Sequence, residues 1–458
     1  VRSTLFYIPE KFAGLPVFGT GWLLIAWAVV GLLIVLLASR RDDFRQTVSG
    51  YLPLWVIVAG LIVFLLPNMM QQIGSTGLRG LPVRGFGVMM LLAVVSGVGL
   101  AAYRAKQVNL NPDVIFSLAF WMFAFGIAGA RLFYIVQYWS QFQRETLWDT
   151  VRAIADVTEG GLVVYGSVLG GVPAGLFYLR SKKLPPLAIA DVIAPSMVVG
   201  LALGRVGCFL NGCCFGGFCE ATPPGMTFPV ESPPYKRQEE LGWRSGIWLS
   251  TARNQQDASM DRPEDRAATD EAQGESEPQF AISWIAPEAG PPPELKVGDV
   301  IESINGRRPA TLAEAQRLLA EAPGVYELKL TDGRRLFWQS KQAPARSAPV
   351  HPAQLYAAID AALLALVLWN FFPYRRHDGE VFALMLTVHP ISRFLLEMIR
   401  SDEPGQFGTQ FTISQWFSLA FLALAAAMWW YIERRPRGSA LPLRVEEENS
   451  FTAAAAHS

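Results

Sequence analysis

Long apolar runs punctuate the chain at 17–39, 52–70, 85–102, 114–137, 161–179, 187–209, 354–372, 380–399 and 414–432. Each is long enough, as a helix, to cross about 30 Å of hydrocarbon. Several contain Gly or Pro, which membrane helices tolerate better than soluble ones. Basic clusters follow alternate runs: Arg40, Arg41 and Arg45 the first, Arg104 and Lys106 the third, Arg180, Lys182 and Lys183 the fifth, Arg375 and Arg376 the seventh, Arg434, Arg435 and Arg437 the ninth. Positive residues at helix ends stay cytoplasmic, so the pattern predicts about nine transmembrane helices, the N-terminus outside and the C-terminus inside. The first run has no basic segment ahead of it and no clear small-residue cleavage site behind it, and reads as an anchor helix.

Between the sixth and seventh runs lies an insertion, roughly 220–350, which this topology places outside the membrane. Residues 254–279 are polar, acidic and almost free of large apolar side chains, so they read as a flexible linker. From Phe280 the pattern turns to short alternating runs that predict strands at Val300–Ile304, Val325–Leu330 and Arg335–Trp338, a helix near 311–321 and a turn at Asp332-Gly333. Leu295-Lys-Val-Gly-Asp-Val-Ile-Glu-Ser-Ile-Asn-Gly306 resembles the core of a PDZ domain. That resemblance implies an envelope peptide bound by strand addition to a sheet edge; a β-rich spacer is the other reading. The expected architecture is an all-α polytopic membrane protein with an inserted small α+β PDZ-like extracytoplasmic domain. Residues 1–80 carry two additional N-terminal helices, 81–230 and 346–435 form the membrane core, 231–279 are irregular segment and linker, 280–345 are the inserted domain, and 436–458 are a cytoplasmic tail.

Composition agrees with the bilayer as solvent: 51% of residues are hydrophobic and 17% charged. A formal net charge of zero leaves no basic surplus to neutralise nucleic-acid phosphates, so membrane lipids are the expected partners and nucleic acid is not.

Polar and ionisable residues within or beside apolar runs are costly and mark functional sites. Several are Arg131, Tyr165, Asp191, Arg205, Asn211, His351, Arg393, Glu397 and Arg400. Asp191 lies near the inner end of its run and reads as a helix-end cap or packing residue. Arg205 and Arg393 are harder to explain structurally, because two guanidiniums in apolar helices need anions, and their planar forks suit a phosphate. His351, beside Pro352, reads either as a helix-start residue or as a proton-transfer group. All four cysteines, Cys208, Cys213, Cys214 and Cys219, fall within twelve residues. At an oxidising outer face they allow a local disulfide of unassigned pairing, buried thiols, or metal or redox chemistry. Zinc wants four ligands, and this spacing matches no common metal pattern.

Six ordered segments carry a family resemblance. They are Gly204-Arg-Val-Gly-Cys-Phe-Leu-Asn-Gly-Cys-Cys-Phe-Gly216, Ala128-Gly-Ala-Arg-Leu-Phe-Tyr134, Gly160-Gly-Leu-Val-Val-Tyr-Gly-Ser-Val-Leu-Gly170, Asp191-Val-Ile-Ala-Pro195, His351-Pro-Ala-Gln-Leu-Tyr356 and Arg393-Phe-Leu-Leu-Glu-Met-Ile-Arg400. Together they resemble the prolipoprotein diacylglyceryl transferases of bacterial inner membranes, over about 80–230 and 350–432. The resemblance implies transfer of diacylglyceryl from phosphatidylglycerol to the lipobox cysteine of a prolipoprotein signal peptide, forming a thioether and releasing glycerol phosphate.

On that reading Arg205 and Arg393 bind phosphate, and Tyr165 and His351 are proton-transfer candidates. Arg131, Gly166, Asn211, Gly216, Glu397 and Arg400 contact substrate, with Glu397 orienting an arginine; no metal or organic cofactor is required. The chain departs from the family pattern where Tyr165 replaces a histidine, where Cys208 and Cys213 replace asparagine and glutamate, and where Phe86 replaces a tyrosine. The main alternative is a catalytically silent relative that scaffolds or recruits envelope proteins through its insertion.

Overall fold

The computed structural model describes residues 4–12, 14–38, 55–56, 58–72, 79–143, 146–155, 163–219, 224–251, 279–322, 324–340, 342–400, 408–409 and 411–441. The linker over 254–278 and the Ala-rich end of the tail lie outside them. Two compact units emerge, residues 1–89 with 210–212, and residues 90–209 with 213–458.

In the first unit, strands β1 (Thr4–Pro9), β4 (Gln71–Gln72) and β5 (Arg79–Arg84) form an antiparallel sheet in the order β1-β5-β4, with Ile8 opposite Leu81. A small hairpin joins β2 (Lys11–Phe12) to β3 (Leu15–Pro16). Helix α1 spans Trp22–Ala38. The run at 52–70, expected to be a second continuous helix, instead passes through a π-helical turn at Leu61–Leu65 into a 3-10 turn at Leu66–Met69. Pro67 lies in that tighter turn, and proline cannot extend an α-helical ladder. The first 80 residues therefore hold strands as well as helix, which six-residue segments such as TLFYIP announce only weakly.

Among the described residues, five helices are long and apolar enough to cross a membrane: Gly85–Gln107 (α2), Pro112–Gln137 (α3), Pro186–Asn211, Ala353–Tyr374 and Ile413–Glu433. Exposed apolar side chains on them, such as Leu91, Phe120, Val136 and Leu366, present the surface that lipid covers. The runs expected at 161–179 and 380–399 appear as shorter helices, Val164–Ser181 (α4) and Glu380–Glu397. Caps set several boundaries: the Asn111 side chain accepts from the Asp113 N–H with Pro112 at the first helical position, and Thr412 and Gln415 form a capping box before Ile413–Glu433.

Helices α3 and α4 meet backbone to backbone. A Cβ at Gly166 would strike the Gly129 carbonyl oxygen and come within 2.6 Å of the Phe133 Cβ, and one at Gly170 would strike the Phe125 carbonyl oxygen. Small residues one turn apart on both helices permit this approach, as in membrane helix pairs generally. In the following helix, α5 (Pro186–Asn211), the Asp191 carboxylate accepts the Gly379 N–H at 2.7 Å and the Phe382 N–H at 2.9 Å. It thereby caps the start of the Glu380–Glu397 helix, the structural role its position suggests.

The insertion contains a five-stranded antiparallel sheet in the order β10-β9-β8-β7-β6, built from β6 (Ile247–Thr251), β7 (Phe280–Ile285), β8 (Val300–Ile304), β9 (Val325–Leu330) and β10 (Arg335–Gln339). Helix α6 (Leu312–Ala320) packs Ala315, Leu318 and Leu319 into the same core as Ile282, Ile304, Leu328 and Trp338. The strands, helix and Asp332-Gly333 turn fall where the alternation predicts them. The boundary does not: β6 lies ahead of the linker and pairs with β7, and Pro233–Glu240 is helical, so the segment expected to be irregular supplies part of the folded unit. Ile247 and Leu249 are buried on the sheet's inner face, but a five-residue strand isolated by a polar linker has no partner visible in sequence.

Candidate functional site

Three of the motif segments converge at one end of α5, α7 (Ala353–Phe371) and α8 (Glu380–Glu397). Gly216 donates its N–H to the His351 carbonyl at 2.8 Å, Gly217 donates to Ile399 O at 3.0 Å, and His351 N–H returns a bond to Gly217 O at 3.0 Å. Only glycine fits at 216, because a Cβ there would lie 2.7 Å from the His351 Cβ and 3.0 Å from its carbonyl oxygen. The loop following Arg205 is thus fastened to the His351 segment and to the end of the Arg393–Arg400 segment. The His351 imidazole itself faces Tyr356, Nδ1 to hydroxyl, at 3.4 Å.

On α8 the charged residues recur with helical spacing and so share a face. The Glu397 side chain is fully buried between two guanidiniums: Arg393 Nη1 lies 2.6 Å and Arg400 Nη1 3.2 Å from its Oε2. Arg393 also donates to the Ser414 hydroxyl of α9 (Ile413–Glu433) at 3.2 Å. Glu397 thus holds two guanidiniums at one end of the helix, and their forks are of the kind that binds anions.

One turn back on α8 sits His389, which the sequence reading overlooks. It lies within electrostatic range of Asp360, Arg205 and Arg393, and its Nδ1 is buried with no hydrogen-bond partner among the described residues. Asp360 accepts the Ser392 hydroxyl at 2.7 Å. Arg205, half-buried on α5, makes no hydrogen bond or ion pair among the described residues, so its fork faces this cluster uncommitted. Four groups able to bind or move charge, Arg205, Arg393, His389 and Asp360, are therefore drawn together from three helices.

Other expected site residues stand elsewhere. Arg131 donates to the Ala153 and Ile154 carbonyls at the end of the short helix Leu147–Ala155, and lies over the Phe142 ring at 5.4 Å. Gly166 belongs to the α3–α4 crossing, where an added Cβ would meet Gly129 and Phe133. Tyr165 is in the first turn of α4, and its side chain lies outside the described residues. Asn211 is the last residue of α5, followed by Gly212 at φ 79°. The sulfurs of Cys208, Cys213 and Cys214 lie within 4.8 Å of one another; Cys219 is buried, with its N–H on Pro349 O at 3.0 Å.

The fold and site are those of a helical membrane protein with charged groups gathered among its helices. Comparison with known proteins makes the class specific. Residues 75–431 match the family described as prolipoprotein diacylglyceryl transferase, and the chain belongs to that family. A phosphatidylglycerol–prolipoprotein diacylglyceryl transferase of Rhodopirellula baltica is 33% identical over 446 residues, covering 92% of this chain and 87% of that protein. Other phosphatidylglycerol–prolipoprotein diacylglyceryl transferases match over shorter stretches. One from Trichormus variabilis is 33% identical over 35% of this chain and 53% of its own length, and one from Clostridium perfringens 33% over 30% and 49%.

Proposed function

We infer that this chain is a phosphatidylglycerol–prolipoprotein diacylglyceryl transferase of a bacterial inner membrane, acting in lipoprotein maturation. Family membership over 75–431 and the full-length similarity to the Rhodopirellula baltica protein carry the reading. In the reaction the lipobox cysteine sulfur attacks the glyceryl carbon of phosphatidylglycerol, the carbon–oxygen bond to phosphate breaks, and glycerol phosphate leaves. The site must therefore take a proton from the thiol and neutralise a phosphate leaving group.

Arg205 and Arg393 are the phosphate ligands in this account, with Glu397 holding Arg393 and Arg400 in place. Support comes from the uncommitted fork of Arg205 and the ion pairs of Glu397. His389 accepts the thiol proton at its unpartnered ring nitrogen once substrate fills the site, and Asp360 stabilises the imidazolium that forms. Tyr165 and His351 remain alternative proton carriers, and Tyr165 can also donate to the lipid phosphate. Gly204–Gly216 is the family signature in a cysteine-bearing form, and Gly216 shapes its loop. The remaining assignments of Arg131, Gly166 and Asn211 to substrate contact are proposals on the resemblance alone.

The insertion acts as a separate PDZ-like module at the outer face, offering a sheet edge to an extended envelope peptide. Its outward position, with N-terminus outside and C-terminus cytoplasmic, rests on the basic clusters after alternate apolar runs. A direct test of the function reconstitutes the purified chain in vesicles with phosphatidylglycerol and a lipobox peptide. The expected product is a peptide carrying diacylglyceryl through a hydroxylamine-stable thioether, absent with a Cys→Ser peptide or with phosphatidylglycerol omitted. A chain that binds the peptide but never modifies it would be a silent scaffold.

A further inference from the structure

Beyond the arginine and histidine cluster, one group of metal-ligating side chains converges among the described residues: Cys208, Cys213 and Cys214, with all three sulfurs within 4.8 Å of one another. Their sequence spacing does not announce this. Cys208 lies in the last turn of α5, whereas the other two follow the helix end. Gly212, at φ 79°, turns the chain, and the Cys213 N–H bonds back to the Cys208 carbonyl at 3.2 Å. Cys214 adopts φ 59°, a left-handed conformation uncommon for a residue with a side chain. Neighbouring side chains point oppositely in an extended chain; the turn here accompanies two adjacent sulfurs gathered on Cys208.

The surroundings hold the loop in that form. Gln354 of α7, only 1% exposed, donates Nε2 to the Cys213 carbonyl at 2.7 Å. Its Oε1 is buried with no hydrogen-bond partner among the described residues. A buried acceptor left without a donor is costly, and this one belongs to the side chain that holds the Cys213 backbone.

We propose that Cys208, Cys213 and Cys214 form a trithiolate site for one soft metal ion, Cu(I) or Zn(II). Metal–sulfur bonds of about 2.3 Å place three sulfurs of a trigonal site about 4 Å apart, within small side-chain rotations of the arrangement here. Thiolates select Cu(I) and Zn(II) over hard cations. No further Cys, His, Asp or Glu joins the group among the described residues, which suits three-coordinate Cu(I) directly and Zn(II) with a water as fourth ligand. Binding releases the thiol protons to solvent, and no electron is transferred. The ion ties the last turn of α5, one turn beyond Arg205, to the loop that carries Gly216. It is a structural clamp and takes no part in the displacement at carbon.

The test uses the full chain, purified in detergent under anaerobic reducing conditions and titrated in separate arms with Cu(I) and Zn(II) against chromophoric chelators. The expected result is one equivalent of one of these metals, with a raised melting temperature in the loaded protein. Cys214→Ser should weaken binding by more than about tenfold, since losing a direct ligand outweighs losing an outer partner, while Cys219→Ser binds as the parent does. If Cys214→Ser does not fold, Cys208→Ser gives the same reading. Failure of both metals to compete for the parent protein overturns the site, as does equal loss of binding in Cys219→Ser. A disulfide within the trio, persisting by mass spectrometry in protein isolated without reductant and leaving no metal-binding capacity after reduction, overturns it as well.

Discussion

At the scale of single residues, catalysis depends on how the charged side chains of α5, α7 and α8 divide between holding one another and meeting substrate. Arg205→Lys keeps the charge and loses the bidentate fork, so turnover should fall by roughly a hundredfold at unchanged protein abundance, a loss of about 2.7 kcal/mol of transition-state stabilisation. Wild-type turnover in that variant would remove Arg205 from the phosphate site. His389→Gln should lower kcat by roughly 10²-fold or more, with KM for phosphatidylglycerol nearly unchanged, because a base acts in the transition state. A tyrosine base would instead produce a rate rising toward the phenol range near about pH 10, abolished in Tyr165→Phe and retained in His389→Gln. Glu397→Gln removes the carboxylate shared by two part-buried guanidiniums and should lower stability, read by unfolding in detergent. Arg205, Arg393 and Glu397 are legible in the sequence because charge inside an apolar run demands a reason. His389 is not, since an imidazole beside Pro390 looks unremarkable until Asp360 and Arg205 arrive from other helices.

At the scale of elements, five of the nine long apolar runs coincide with helices long and apolar enough to cross a membrane among the described residues, and the Asp191 cap is visible as a carboxylate near a helix end. Failures come where a run is broken or an element is short. Pro67 and the π turn at Leu61–Leu65 replace a regular helix, and β6 is recognisable only once β7 is beside it. Gly166 and Gly170 let α3 and α4 cross backbone to backbone. Gly170→Val would drive a side chain into the Phe125 carbonyl and should lower the melting temperature in detergent by several degrees, on the order of 2–4 °C per kcal/mol for a large chain. An unchanged melting temperature would mean that the crossing is looser than the structure gives.

At the scale of the whole molecule, the five-stranded sheet with its own core and the long apolar helices answer to different sequence patterns, alternation in one and long apolar runs in the other. Replacing 247–340 by a short Gly-Ser linker removes the sheet but keeps the pairings of Met226 with Val350 and Pro229 with Arg346 at its base. Transfer to a short lipobox peptide should stay within about threefold of the parent if the module only recruits partners, less than 1 kcal/mol in transition-state terms. Complete loss in a stably inserted protein would make the module part of the catalytic apparatus. The central claim, displacement at the glyceryl carbon, is tested most directly by placing oxygen-18 in the bridge between that carbon and phosphorus of phosphatidylglycerol. The account predicts a lipobox peptide that gains an unlabelled diacylglyceryl group while the released glycerol phosphate carries the label. Label retained on the peptide, or no lipid gained by it, would contradict the account.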